Sequence, residues 1–181
     1  MKRPYVFLLI LTALISACSQ QPVREHSSYT RIGVGSIVEL KQTLKVPPGD
    51  ARLFIQHGEV LNGGLDHYAP SCNFEVRSIS GSRLILPGRF PVTRLQYGDE
   101  QVVSLEPIKV AGRRLTGILH REGGPPMITR FVHFWLQADD QPDLMRLTCR
   151  GALADLHEAE RPTVSEMAEA LGDIATIEPV F

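Results

Sequence analysis

This chain lacks three things: an excess of charge of one sign, many cysteines and long apolar runs. Its 19 basic residues nearly balance its 20 acidic ones, so the formal net charge is only −1. A protein without a strongly basic surface lacks the electrostatic attraction that holds nucleic-acid-binding proteins to phosphate backbones. We therefore expect no nucleic-acid partner.

Only one apolar run stands out, at residues 5–17, and it holds about a dozen residues. A membrane-spanning helix needs about 20 consecutive apolar residues to cross the hydrocarbon core of a bilayer. The run is therefore too short to span a membrane, and no second run in the sequence approaches the necessary length.

Motifs for catalysis and metal binding are also missing from the sequence. It contains neither the GxSxG nor the SxxK pattern of serine nucleophiles. Its 6 histidines include no pair at the spacing of a helical or hairpin zinc site. His57 and His67 flank a glycine-rich turn beside Asp66, where solvated loop histidines are favoured over a zinc site. We predict no metal, no cofactor and no enzymatic activity.

The beginning of the chain carries a targeting pattern. Two basic residues, Lys2 and Arg3, precede the apolar run, and two small residues end it, as in secretory signal peptides. A cysteine, Cys18, stands directly after the small pair. Residues 15–18 resemble the lipobox of bacterial lipoproteins, whose signal peptide is cleaved before the cysteine.

The resemblance implies that Cys18 becomes the first residue of the mature protein and carries a thioether-linked diacylglycerol and an acylated amine. Each buried methylene of such chains contributes about 0.8 kcal/mol, so an anchor of several chains would be effectively permanent. Ser19 follows, rather than the aspartate common in lipoproteins retained at the inner membrane. We therefore predict a lipid-anchored protein of the bacterial cell envelope, in the outer membrane and facing the periplasm.

Composition divides the chain into three parts. Residues 1–17 are the predicted signal peptide, and residues 18–31 are polar without apolar periodicity, which predicts a flexible tether. Residues 32–181 consist mostly of short β-type runs separated by Gly, Pro, Asn and Asp. They predict a single, mainly β domain: an antiparallel β-sandwich or barrel-like fold with a short C-terminal α-helix.

Three of the strand predictions are specific. Apolar and polar residues alternate over residues 38–46, which predicts one half-buried strand that ends before Pro47. Residues 90–97 and 101–110 predict two strands separated by a Gly-Asp-Glu turn. Residues 129–137 are apolar on both faces, a pattern typical of a central strand covered on both sides.

One capped helix is predicted near the C-terminal end. Thr163 and Glu166 fit a capping box, and apolar residues recur at helical spacing over residues 164–171. Gly172 is placed to end this helix. A second helix is predicted over residues 152–160.

The two remaining cysteines are predicted to form a disulfide. Once Cys18 is assigned to the lipid, Cys72 and Cys149 are left in a compartment where disulfides persist. Both belong to strand-like segments, and their side chains fall on the apolar face of each segment. Two free core thiols are the alternative. A catalytic thiol is disfavoured because neither cysteine lies near a CxxC motif or a helix start.

A basic patch is one candidate binding surface. Arg113 and Arg114 lie near His120 and Arg121 on a predicted hairpin, and guanidinium groups bind the phosphates and carboxylates that envelope glycans carry. A charged, solvated sheet edge is the plainer interpretation of this patch.

Aromatic and histidine positions on the predicted strands and loops have both plain and functional interpretations. His133 falls between Phe131 and Trp135 on one strand face, where a hydrogen-bonded core histidine is favoured over a metal ligand. Residues 66–68 and Tyr97 carry rings that suit stacking on a sugar, although ordinary loop aromatics are commoner.

Together these features favour a non-catalytic role, as an interaction or scaffold module that binds another envelope component, either protein or glycan. A binder of a small ligand, lipid or glycan in a cavity is the alternative hypothesis. An envelope hydrolase is a third and less favoured one.

Overall fold

The computed structural model describes residues 32–101 and 127–180. The fold is mainly β, as predicted, with a curled antiparallel sheet shaped as a half-barrel and one short helix near the C-terminal end. No helix in these two ranges has the length and hydropathy that crossing a bilayer requires. The predicted signal peptide and tether, including Cys18, lie outside the described residues.

The elements are β1 (Ile37–Leu40), β2 (Leu44–Val46), β3 (Arg52–Gln56), β4 (Glu59–Val60), β5 (Ser71–Val76), β6 (Arg83–Ile85), β7 (Gly88–Gln101), β8 (Met127–Leu136), β9 (Leu144–Arg150), β10 (Ala154–Asp155), α1 (Val164–Leu171) and β11 (Ala175–Glu178).

The main sheet has nine strands, and its order is β11-β1-β7-β8-β9-β5-β3-β4, with β10 pairing along β8. The pairings described for it are all antiparallel. Strands β2 and β6 form a separate two-stranded ribbon. The longest strands, β7 and β8, therefore lie side by side near the middle of the sheet.

One face of the sheet is the hydrophobic core. Side chains alternate along a strand, so Leu53, Phe74, Leu147 and Phe134 form one cross-strand row on this face. Each of them is at most 3% exposed. The buried side of α1 packs against this face beside β3 and β5. Full burial of a large apolar side chain stabilises the folded state by about 1.5–3 kcal/mol, so this face supplies most of the driving force for folding.

Helix α1 begins and ends where the sequence predicts. The Glu166 amide donates to the Thr163 hydroxyl at 3.2 Å, and the Thr163 amide donates to the Glu166 carboxylate at 2.7 Å, which completes the capping box. Gly172 ends the helix with a φ of +53°, and a Cβ on it would lie 2.5 Å from the Gly58 Cα. Positive φ and close backbone approach together require glycine there.

The predicted disulfide is confirmed, and it joins neighbouring strands. Cys72 on β5 lies directly opposite Cys149 on β9, and the two sulfurs are bonded. Both residues are at most 1% exposed. The bond links positions 77 residues apart in the sequence. The alternative of two free core thiols is therefore wrong.

The single strand predicted over residues 38–46 is wrong, because the chain changes partners midway. After β1, the Lys41 amide still donates to the Ile174 carbonyl at 2.9 Å, in the register of the β1–β11 pairing, and the strand ends there. Strand β1 pairs with β7 and β11, whereas β2 pairs with β6 in the ribbon. The alternating apolar residues are buried as predicted, but they belong to two strands.

The turn predicted between residues 97 and 101 is also wrong, since β7 continues through it. Gly98 lies opposite Phe131, whose ring occupies the space that a Cβ would need, with Cζ 2.5 Å away. Glycine in a strand interior often marks such a close approach rather than a turn. The second strand predicted here, residues 101–110, lies almost wholly outside the described residues.

The second predicted helix, over residues 152–160, does not form. The Leu153 amide donates to the His67 carbonyl at 2.7 Å, and β10 then pairs with β8. The Glu160 carbonyl lies where a Cβ on Gly151 would be, so the chain folds back on itself within ten residues. Tertiary contacts have overridden a weak local helix preference.

Candidate binding face

The sheet face opposite the hydrophobic core is polar. Directly paired residues project on the same side of a sheet, so the registers define cross-strand rows. We use the name polar face for three such rows across β7, β8, β9, β5 and β3. The first row is Arg94, Trp135, Arg146, Glu75 and Arg52; the second is Gln96, His133, Thr148, Asn73 and Phe54; the third is Gly98, Phe131, Arg150 and Ser71.

Glu75 is the buried anion of the polar face, with a side chain only 4% exposed. Arg146 reaches Glu75 Oε2 with Nε at 2.8 Å and Nη2 at 2.6 Å. Thr148 Oγ1 and Asn73 Nδ2 donate to Oε1 at 3.0 and 3.2 Å. Burial alone would raise the pKa of this carboxyl. The hydrogen bonds from Arg146 and Asn73, with the charges of Arg146 and Arg52, outweigh burial and lower the pKa overall.

The hydrogen bonds around Thr148 define the tautomer of His133. The Thr148 hydroxyl has one proton, and it donates that proton to Glu75. Its contact with His133 Nδ1, at 2.7 Å, must therefore be a bond that the imidazole donates. His133 is then neutral with its proton on Nδ1, and Nε2 keeps its lone pair.

Protonation of His133 is strongly disfavoured in the folded protein. Burial lowers its pKa to about 4, and the charge of Arg146 acts in the same direction. The charge of Glu75 opposes the shift without cancelling it. The imidazole of His133 on the polar face is therefore neutral near pH 7.

This pKa predicts a loss of stability in mild acid. The unfolded chain takes up a proton on His133 near pH 6.5, but the folded protein does so only near pH 4. The contribution of the neutral His133 to the free energy of unfolding is therefore fully present above pH 6.5. It falls by roughly 3 kcal/mol as the pH drops to about 4, at 1.36 kcal/mol per pKa unit. Urea unfolding at a series of pH values measures this loss.

The matched variants separate His133 from the other histidines. His133→Gln should flatten the stability profile between pH 6.5 and 4, although it lowers stability at pH 7 by weakening the bond to Thr148. His57→Gln, at a histidine whose side chain is 62% exposed, is the matched control substitution. A profile that stays equally steep in His133→Gln would contradict the prediction.

Arginine and aromatic side chains cover the buried centre of the polar face. The guanidinium carbons of Arg94 and Arg146 lie 4.2 and 5.0 Å from the centre of the Trp135 ring, reaching it from the strands on either side. The guanidinium carbon of Arg150 lies 5.7 Å from the Phe54 ring. Such cation–π contacts contribute about 0.5–2 kcal/mol each, depending on desolvation. They hold flexible arginine side chains in defined positions.

A groove with a volume of about 280 Å³ opens at one end of the polar face. Glu100 pairs with Thr129 beyond the third row, and both residues line the groove. We call it the arginine groove because Arg52 and Arg150 lie in its wall. Its lining also includes Phe54, Leu65 and His67.

The loop that closes one side of the arginine groove is held by hydrogen bonds from a buried glutamine. Gln56 is 4% exposed, and its Nε2 donates to the Asp66 carbonyl at 2.8 Å while its Oε1 accepts from the Asp66 amide at 3.1 Å. The His67 carbonyl accepts from the Leu153 amide at 2.7 Å. These bonds fix the loop next to Leu65, so this wall of the groove is held in place without a ligand.

Among residues 32–101 and 127–180, cationic groups outnumber anionic ones on the polar face and in the adjoining groove. His133 adds no charge at neutral pH, because its pKa is about 4. A surface with this balance attracts anionic partners and repels cationic ones. The charged groups are the cations Arg52, Arg94, Arg146 and Arg150 and the anions Glu75 and Glu100.

The basic patch predicted from the sequence lies outside the described residues, so it stays a prediction. Its members are Arg113, Arg114, His120 and Arg121. The lipid attachment predicted at Cys18 lies outside them as well.

Other predicted positions fall at separate places. His133 is buried and hydrogen-bonded, as predicted, but it lies on the polar face and not in the predicted core. His67 lines the arginine groove, whereas Tyr97 projects from the opposite side of β7, so the two do not share a surface. At the surface, His57 Nδ1 lies 3.8 Å from Glu169 Oε1. Within residues 32–101 and 127–180, no three or more His, Cys, Asp or Glu side chains are grouped to hold a metal ion.

Sequence reasoning missed the polar face, although a signal for it exists. Asn73 and Glu75 alternate with the apolar residues of β5, and Arg146, Thr148 and Arg150 alternate with those of β9. This alternation predicts a polar second face for each strand separately. Only the pairing register shows that the polar residues of the two strands meet.

No protein-family model matches this chain, and neither a curated protein nor a solved structure matches it.

Proposed function

We propose that this protein is a non-catalytic lipoprotein of the bacterial cell envelope that binds another envelope component through its polar face. The lipobox-like residues 15–18 support lipid anchoring at Cys18. The disulfide between Cys72 and Cys149 is consistent with an oxidising compartment. The polar face supports the binding role.

The observation that carries the binding role is the burial of polar groups on a face that antiparallel sheets commonly leave to water. Asn73 and Thr148 are fully buried there, and Glu75 is 3% exposed. Desolvating an ion pair is costly, and apolar replacements of the same volume are often equally stable or more stable. A network of this kind is therefore better explained by recognition than by stability.

The layer above this network has the composition of a binding surface. Tryptophan and arginine are the residues that most often dominate binding energy in protein interfaces. Trp135 is partly exposed, and Arg94 and Gln96 beside it are exposed. Because Arg94 and Arg146 hold the indole ring in place, a partner meets a preorganised surface and loses little side-chain entropy on binding.

The same network favours binding over catalysis. The Thr148 hydroxyl is fully buried and donates its proton to Glu75, so it is poorly placed to act as a nucleophile. Arg146 and its neighbours lower the pKa of Glu75, whereas a general acid or base works best with a pKa near the working pH. These properties support the non-catalytic proposal over the hydrolase.

Lipid anchoring is tested by metabolic labelling with palmitate and by the intact mass of the protein isolated from membranes. We expect the native protein to incorporate the label and Cys18→Ser to lose it. The double variant Cys72→Ser/Cys149→Ser is the matched control and should keep the label. An intact mass showing an unmodified sulfur at Cys18 would contradict anchoring.

The binding role is tested by placing a photo-crosslinking amino acid at Gln96 in cells. We expect a discrete adduct that disappears when Arg94→Ala is added. The matched control position is Glu169, which is exposed on α1. Trp135 is the only tryptophan of this chain. The partner identified from the adduct, once purified, should therefore also change the fluorescence emission of Trp135 when the two proteins are mixed. No adduct at Gln96, or the same adduct at Glu169, would argue against the polar face as the binding surface.

A further inference from the structure

We propose that the arginine groove binds the carboxylate or phosphate group of a compact polar ligand about the size of one sugar ring. The inference rests on the proposed function, because it assigns a ligand class to one end of the polar face. It is supported by the burial and the ionic partners of the two arginines in the groove wall, and by the size and lining of the groove.

Arg150 is a partly buried cation whose one described ionic partner is half-exposed. Its side chain is 11% exposed, and Nη1 donates to the neutral Asn73 Oδ1 at 2.8 Å. Its ionic partner is Glu100, on β7 beyond the third row. The distance between Arg150 Nη2 and Glu100 Oε2 is 3.4 Å, and the Glu100 side chain is 49% exposed. Burial lowers the pKa of Arg150; the charge of Glu100 opposes this shift without cancelling it, and the nearby charge of Arg52 adds to it. An anion entering the groove would add negative charge beside the half-exposed Glu100 carboxylate.

Arg52 lies at the mouth of the groove with donors to spare. Its side chain is 44% exposed, and Nε lies 3.5 Å from Glu75 Oε1. Within residues 32–101 and 127–180, Glu75 is its only anionic partner, and this contact involves Nε rather than the terminal Nη atoms. Two adjacent guanidinium N–H groups match the spacing of carboxylate and phosphate oxygens. Arg52 and Arg150 therefore present cationic donors to one shared space.

The dimensions and walls of the groove limit the size of the ligand. A volume of about 280 Å³ lies just below the range of about 300–1,000 Å³ typical of drug-sized ligands. Leu65 and Phe54 add apolar surface to the lining, and His67 adds a polar edge. A single sugar ring with an acidic substituent fits this combination, whereas a long acyl chain does not.

The test is isothermal titration calorimetry of the purified full chain with D-glucuronate, D-glucose 6-phosphate and D-glucose. We expect both anionic sugars to bind at least about tenfold more tightly than glucose, because a charged hydrogen bond supplies about one or two powers of ten in affinity. Inorganic phosphate alone should bind more weakly than the sugar phosphate. Equal affinity for glucose and glucuronate, or no heat from either anionic sugar, would overturn the proposal.

Variants at the rim separate recognition from folding. Arg52→Gln should weaken glucuronate binding about tenfold or more, whereas Glu100→Gln should strengthen it, since Glu100 competes with the ligand for Arg150. Both residues are partly exposed, so these variants should fold. Arg89→Gln removes an arginine that is not part of the groove lining and is the matched control. Unchanged affinity in both Arg52→Gln and Glu100→Gln would overturn the proposal.

The two proposals fail in different ways. If the anionic sugars do not bind but a crosslinker at Gln96 still captures its partner, the ligand class is wrong and the binding face stands. If the crosslinker also captures nothing, the proposed function falls with it.

Discussion

Replacing Glu75 by alanine is expected to lower the free energy of unfolding by about 3–5 kcal/mol, the cost of breaking a buried ion pair. The change leaves the Arg146 guanidinium, 16% exposed, without its carboxylate. It also removes the acceptor for hydrogen bonds from Thr148 and Asn73, both fully buried. Urea unfolding followed by the fluorescence of Trp135 measures the loss, because the ring contacts Arg146.

An exposed pair with the same shortest nitrogen–oxygen distance is the matched control. Arg89 Nη2 lies 2.6 Å from Glu178 Oε2, the same distance as between Arg146 and Glu75. Glu178 is 45% exposed, so water can replace the lost partner and Glu178→Ala should change stability little. The double variant Glu75→Leu/Arg146→Met leaves no unpaired buried charge and should recover much of the loss. Equal losses in Glu75→Ala and Glu178→Ala would show that burial does not matter.

Removing the disulfide with Cys72→Ala/Cys149→Ala is expected to lower the free energy of unfolding by about 4–5 kcal/mol on the chain-entropy model. The bond links positions 77 residues apart, so cutting it releases a long segment of the unfolded chain from a constraint. The same urea titration at neutral pH measures the effect. The native strand pairing should persist in the variant, because β5 and β9 also share a full ladder.

The parent protein unfolded in the presence of dithiothreitol is the control for this double variant. Its stability should match that of the variant, since both lack the same covalent bond. Both sulfurs are buried in the folded state, so reduction should be slow without denaturant and fast above the unfolding midpoint. A variant within about 1 kcal/mol of the oxidised parent would contradict the expected contribution.

The elements that local patterns predicted best are those whose signals lie within a few residues. Helix α1 was predicted because Thr163 and Glu166 stand three positions apart and Gly172 follows the last apolar residue. The wrong predictions share one cause. Gly98 was interpreted as part of a turn. The structure requires glycine there because the ring of Phe131, on another strand, fills the space of a Cβ, and the local sequence does not show this contact.

The candidate site was not predictable in the same way. Arg146 and Glu75 are 71 residues apart in the sequence, and Arg150 and Asn73 are 77 apart. Nothing in either segment alone indicates that its polar residues face a complementary set on the neighbouring strand. His133 was predicted as a hydrogen-bonded core residue, but its partner Thr148 follows only from the register of β8 and β9.

The sequence by itself determined the mainly β character and the capped helix. These properties depend on composition and on periodicities of two and about four residues. The sequence predicted the pairing of Cys72 with Cys149 only through the assignment of the third cysteine, Cys18, to a lipid. Only the tertiary structure decided that β5 lies between β3 and β9, and so created the polar face and the arginine groove. The physical reason is that strand order and register arise from contacts between distant segments. A shift of one residue in register would turn Glu75 into the core and its apolar neighbours towards water.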